Sequence, residues 1–102
     1  MHARVAFFQL KSGSFEQVVR IVEAPGGLLG IFRERPGFRS YELIECASGL
    51  ISVSHWENSE DADSADRIGV AWAADHIDKL VKLQQSNTGE VVLSWLATAT
   101  AG

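Results

Sequence analysis

Ser52, Ser54 and Trp56 alternate along the stretch "ISVSHWENSEDA", residues 51–62, and alternate residues of an extended chain share one face. That face carries two hydroxyls and an indole N–H, while Ile51, Val53 and His55 occupy the other. Small hydroxyl side chains in place of large apolar ones leave room beside the Trp56 ring. The other reading is that Trp56 fills the space itself and the hydroxyls bond to nearby backbone. His76 is the second candidate catalytic group beside Trp56. On a helical wheel it falls between Leu83 and Leu80 within an apolar arc, one turn after Trp72, so it is expected to face the sheet, either as a buried base or bonded to a carbonyl. Tyr41, assigned with Arg39 to one face of its strand, either reaches the mouth of a pocket or packs between subunits. The candidate substrate-binding set is therefore Ser52, Ser54, Trp72 and Tyr41.

These side chains need elements to hold them. "ARVAFFQLK" is apolar on both alternating faces, Val5 and Phe7 against Ala6, Phe8 and Leu10, the pattern of a strand buried on both sides. Ser14 and Gln17 form a capping box for a helix with Phe15, Val18, Val19 and Val22 on its stripe, and "APGG" breaks that helix before "LLGIFRER" resumes it. "GFRSYELIE" and "GLISVSHW", joined by "CASG", read as a hairpin. Asn58 or Ser59 caps a second helix, whose periodic run "IGVAWAADHIDKLVKLQQ" is expected to continue through residue 85 with Gly69 as a candidate interruption. "EVVLSWL" then reads as the last strand, apolar on both faces. The order β-α-β-β-α-β predicts an α+β, ferredoxin-like domain: a four-stranded antiparallel sheet with its helices on one face. A sheet with apolar residues on the uncovered face as well predicts a homodimer in which two sheets pack together.

The chain of 102 residues forms a single domain, with residues 97–102 expected to be a flexible tail. A formal charge of −4 argues against nucleic acid as a partner. No run reaches the length of a membrane span or a signal peptide, so a cytoplasmic location is expected. One cysteine, Cys46, permits no internal disulfide, and no His or carboxylate pair stands at ligand spacing on an inward face, so no metal is expected. The acidic "ENSEDADSAD" reads as a solvated helix start.

"PGFRSYELIE" followed by "LISVSHWENSEDA", with "RVAFF" near the start and "FRERPGF" before strand two, resembles the antibiotic biosynthesis monooxygenase family. The resemblance implies a dimeric α/β barrel and a small monooxygenase that oxidises anthrone-type polyketides to quinones with O₂, using neither metal nor flavin. In the quinone-forming members an Asn precedes the Trp by four residues, a Tyr follows it by about six, and an Arg lies further along the second helix. Here Trp56 is retained, Ser52 stands at the Asn position, Ala62 or Asp63 at the Tyr position, and His76 near the Arg position. The same fold also serves haem-degrading enzymes, for which His76 would be the axial ligand, and proteins that bind a small molecule without transforming it.

Overall fold

The computed structural model describes residues 1–97. The tail expected to be flexible lies, beyond Ala97, outside the described residues. The elements are β1 (His2–Leu10), α1 (Phe15–Glu23), α2 (Leu28–Arg33), β2 (Phe38–Cys46), β3 (Gly49–Trp56), α3 (Ser59–His76) and β4 (Val81–Glu90). The four strands form one antiparallel sheet in the order β2-β3-β1-β4, with β1 in the middle paired to both β3 and β4. This is the ferredoxin-like arrangement expected from the sequence.

The local signals act as their chemistry dictates. Ser14 and Gln17 complete both bonds of the capping box on α1, and the Asn58 side chain accepts from the Asp61 N–H at the start of α3. The "APGG" turn separates α1 from α2, and Gly26 has a positive φ of 81° that suits a residue without a side chain. Gly69 does not interrupt α3, which runs unbroken through it.

The second half of the chain departs from the sequence reading. α3 ends at His76, nine residues short of residue 85, and β4 is "VKLQQSNTGE" rather than "EVVLSWL". The run from Leu80 to Leu83 satisfies a helical stripe and a two-residue alternation equally well, because Val81 and Leu83 are also i, i+2 neighbours. Tertiary pairing decides: without Val81–Glu90 the second edge of β1 would carry bare N–H and C=O groups. Polar β4 residues are tolerated because two of them bond to the acidic start of α3, Ser86 to Asp66 and Thr88 Oγ1 to Asp63 Oδ1 at 2.7 Å. That acidic run is therefore only partly a solvated face. The segment once expected to be a strand leaves the sheet after the Val91 N–H donates to the Met1 carbonyl at 2.9 Å, and Val92, Leu93, Trp95 and Leu96 beyond it are exposed.

The helices cover one side of the sheet. On that side Ala6 and Phe8 of β1, and Leu50, Ser52, Ser54 and Trp56 of β3, are buried against Val18, Val22, Leu28, Phe32, Ala62, Ala65, Trp72 and Ala73. Trp56 is at the centre of this core, its ring meeting those of Phe32 and Phe38 edge-on with centroids 5.2 and 5.5 Å away. Replacing Trp56 with Ala is expected to cost about 3–5 kcal/mol of unfolding free energy in a urea titration. A loss under about 1 kcal/mol would mean that the ring is not a core anchor.

Candidate active site: a cavity between sheet and helices

Three of the six side chains singled out from the sequence meet in one place. Ser52, Tyr41 and Trp72 line a cavity between the sheet and the helices, together with apolar side chains that include Phe8, Leu28, Leu43 and Ile77. Tyr41 reaches it because β2 carries a bulge between Phe38 and Ser40, which sets Tyr41 opposite Ser54 and Leu43 opposite Ser52 on the helix-covered side. Arg39 falls in the bulge and points away, paired in the open with Glu57 at 2.8 Å. Ser52 Oγ donates to the Tyr41 hydroxyl at 3.2 Å, so the phenol keeps its own hydrogen for a further acceptor. Burial raises the Tyr41 pKa above its ordinary value of 10.0, while the Ser52 bond and the Arg4 charge pull weakly the other way. At neutral pH the phenol is a donor.

The other three go elsewhere. Trp56 does not line the cavity, and its Nε1 donates to Ser54 Oγ at 2.9 Å, which also occupies Ser54. His76 is exposed rather than turned to the sheet. It is the last residue of α3, stacked on the Trp72 indole with centroids 4.9 Å apart and Nδ1 placed 2.9 Å from the Trp72 carbonyl. The wheel that put it in the apolar arc used Leu80 and Leu83, which belong to no helix. Trp72 itself is tethered by Nε1 to the Gly26 carbonyl at 3.4 Å, so the turn between α1 and α2 closes one wall.

The sequence reading missed the most polar group in the cavity. Arg4 is only 1% exposed, and its Nε donates to Asp66 Oδ1 at 3.0 Å. Its two terminal nitrogens are buried with no hydrogen-bond partner among the described residues. The guanidinium lies against Gly69 of α3, where a Cβ would come within 2.7 Å of Cζ and of one terminal nitrogen. Gly69 thus serves as a recess for a cation. The available signal was the alternation in "ARVAFF": counting back two residues from the inward Ala6 gives Arg4. The Asp66 partner is 62 residues away and no local pattern announces it.

The cavity is constricted, with a volume of about 10 Å³. That is room for about one water. The exposed His76, with one ring nitrogen already engaged, is not placed to ligate haem in it.

Comparison with known proteins agrees with the topology. No protein-family model matches the sequence, and no curated protein matches it. Solved structures do. SnoaB, a cofactor-independent oxygenase from Streptomyces nogalater, superposes with a TM-score of 0.67 over 91% of this chain and 94% of its own, at 15% identity. A Bacillus cereus protein provisionally called an antibiotic biosynthesis monooxygenase gives 0.65 over 97% and 98% at 15% identity. The chain has the ferredoxin-like fold of these two proteins. MhuD, solved with manganese protoporphyrin IX in its active site, shares that fold too, at 0.66 over 95% and 100% with 17% identity. At such identities the ferredoxin-like fold is what is common, and the chemistry of this chain has to be argued from its own cavity.

Tyr41 is the only tyrosine in the chain, so its ionisation can be read by ultraviolet absorbance without interference from another phenol. Its folded pKa is raised, so above pH 10 the unfolded chain releases this proton before the folded one does. The contribution is fully present below about pH 10 and is lost as the pH climbs from there through the raised folded value. Stability should fall along that limb in the wild type and less steeply in Tyr41→Phe. Parallel alkaline limbs would show that the phenol is not buried.

Proposed function

We propose that this protein is a small cofactor-independent oxygenase acting on an aromatic or polyketide-like molecule held between sheet and helices. The observation that carries the reading is the Tyr41–Ser52 hydroxyl pair set inside an otherwise apolar cavity, with the phenol kept protonated by burial. In such chemistry a phenolic or enolic substrate reacts with O₂ from its deprotonated form. The activated methylene becomes a carbonyl with one oxygen of O₂, and the other oxygen leaves as water with the two methylene hydrogens. Donors aimed at the substrate oxygen favour the anion, and apolar walls keep bulk water from quenching it. Tyr41 supplies that donor, Ser52 orients it, and Phe8, Leu43 and Trp72 are the walls.

The cavity admits a ring system only after it opens. α2 is the shortest helix, and it hangs between turns in which Gly26 and Gly37 have positive φ. Displacement of α2, with Leu28 at the cavity wall, is one way in, at the cost of uncovering the buried Phe32. A second reading, a binding protein of the same fold without chemistry, draws support from one fact: the titratable side chains lining the cavity are Arg4 and Tyr41, and neither is a base at neutral pH. An oxygenase built this way takes a substrate acidic enough to ionise in water before it enters.

The uncovered sheet face supports a homodimer. Val5, Phe7, Ile44, Ile51 and Val53 share that side, with Phe7 39% and Ile44 43% exposed in the single chain. A second copy placed face to face covers them. No helix among the described residues is long and apolar enough to cross a membrane.

Oxygen uptake by the metal-stripped protein against a panel of anthrones tests the chemistry. Uptake above the spontaneous rate with a quinone product, reduced about tenfold or more in Tyr41→Phe, is the expected result. Ligand binding without uptake across the panel would select the binding role instead. Light scattering at micromolar concentration should give twice the chain mass, and Phe7→Glu, which puts a charge on the uncovered face, should give the chain mass. A monomeric wild type would refute the dimer.

A further inference from the structure

Arg4 is the group that the fold takes furthest from water while leaving it unsatisfied. A guanidinium has five N–H donors, and here one bond, from Nε to Asp66, is made. Both terminal nitrogens are left bare in a side chain that is 1% exposed. Burial of an unmatched cation is costly and is sustained where something else supplies the acceptors. Asp66 cannot supply them. The oxygen that faces Arg4 already accepts from Nε and from the Ser86 hydroxyl, and the Asp66 side chain is 30% exposed. The Phe32 ring, 6.0 Å from Cζ, offers a weak cation–π contact but no acceptor.

The geometry points to an acceptor carried by the ligand: we propose that Arg4 anchors a carboxylate, and that the molecule bound in this cavity is an aromatic acid. This rests on the reading of the cavity as a small-molecule site and deepens it. The terminal nitrogens of a guanidinium form a planar fork that meets the two oxygens of a carboxylate in parallel. A phosphate would bring a second charge and a third oxygen, and the cavity lining holds no second cation to meet them. Gly69 is the positioning residue of this site, because the absence of a Cβ lets the guanidinium lie back against α3, with both terminal nitrogens enclosed and unpartnered. With the acid end fixed at Arg4, the remainder of the ligand is left to the apolar walls and to the Tyr41 and Ser52 hydroxyls.

The test is tryptophan fluorescence titration with aromatic carboxylates of one to three rings, each beside its neutral carboxamide. The wild type should prefer the acid by about 10- to 100-fold, the usual range for hydrogen bonds to a charged group. Arg4→Lys keeps the charge but loses the fork, and Gly69→Ala keeps Arg4 but pushes it from its recess. Both should reduce the preference while retaining the far-ultraviolet circular dichroism of the wild type, and Gly69→Ala covers the case in which Arg4→Lys does not fold. Equal binding of acid and amide by the wild type would overturn the carboxylate anchor, leaving the cavity as a neutral-ligand site with a water on Arg4. An acid preference untouched in the folded variants would overturn it as well. Failure of every compound to bind would remove both the anchor and the cavity reading beneath it.

Discussion

The rest of the site is arranged around a buried cation. The Arg4 guanidinium is held between the central strand and the longest helix, bound through one nitrogen to Asp66 and backed by a glycine at the only kind of position that admits it. Asp66 in turn accepts from Ser86, so β1, α3 and β4 meet at a single carboxylate. Such a junction fixes the azimuth of α3 over the sheet. Rotating the helix would bury Asp66 without Arg4 or leave Arg4 wholly unpaired, and each is costly in a low-dielectric interior. Trp72, one turn along from Gly69 and Ile68, is aimed at the cavity as a result, and its tether to Gly26 brings the turn between α1 and α2 into place.

This arrangement also accounts for the serines on β3. A large side chain at Ser52 would fill the space that Tyr41 and Trp72 share, whereas one at Ser54 would displace the Trp56 indole from its only hydrogen bond. The two serines look equivalent in the sequence and are not. Ser54 completes the core, and Ser52 borders the cavity.

The fold was legible where a signal was local. A capping box, a glycine turn and an asparagine cap each act within a few residues and were found where the sequence put them, and the hairpin was found too, with its loop shortened from the four residues of "CASG" to Ala47 and Ser48. β4 was not legible because Leu80, Val81 and Leu83 satisfy two periods at once, and its polar remainder is stabilised by carboxylates on a helix 20 and 25 residues earlier. Of the site, Ser52 and Trp72 were placed on inward faces by strand alternation and helical periodicity, whereas the inward position of Tyr41 depends on a bulge that separates it from Arg39 and that alternation alone does not show. His76 was misplaced by the same error that lengthened α3. Arg4 was overlooked since a charge inside an apolar strand looks like an end effect until its partner across the fold is known.

A cavity with room for about one water also sets a clock. If the chain must open before a ring can enter, the apparent affinity is the intrinsic one diminished by the fraction of molecules that are open. Association is then limited by how often α2 lifts rather than by diffusion, and the same event governs release. Ligands of quite different shape would arrive and depart at similar rates, and discrimination among them would reside in what happens while the door is shut.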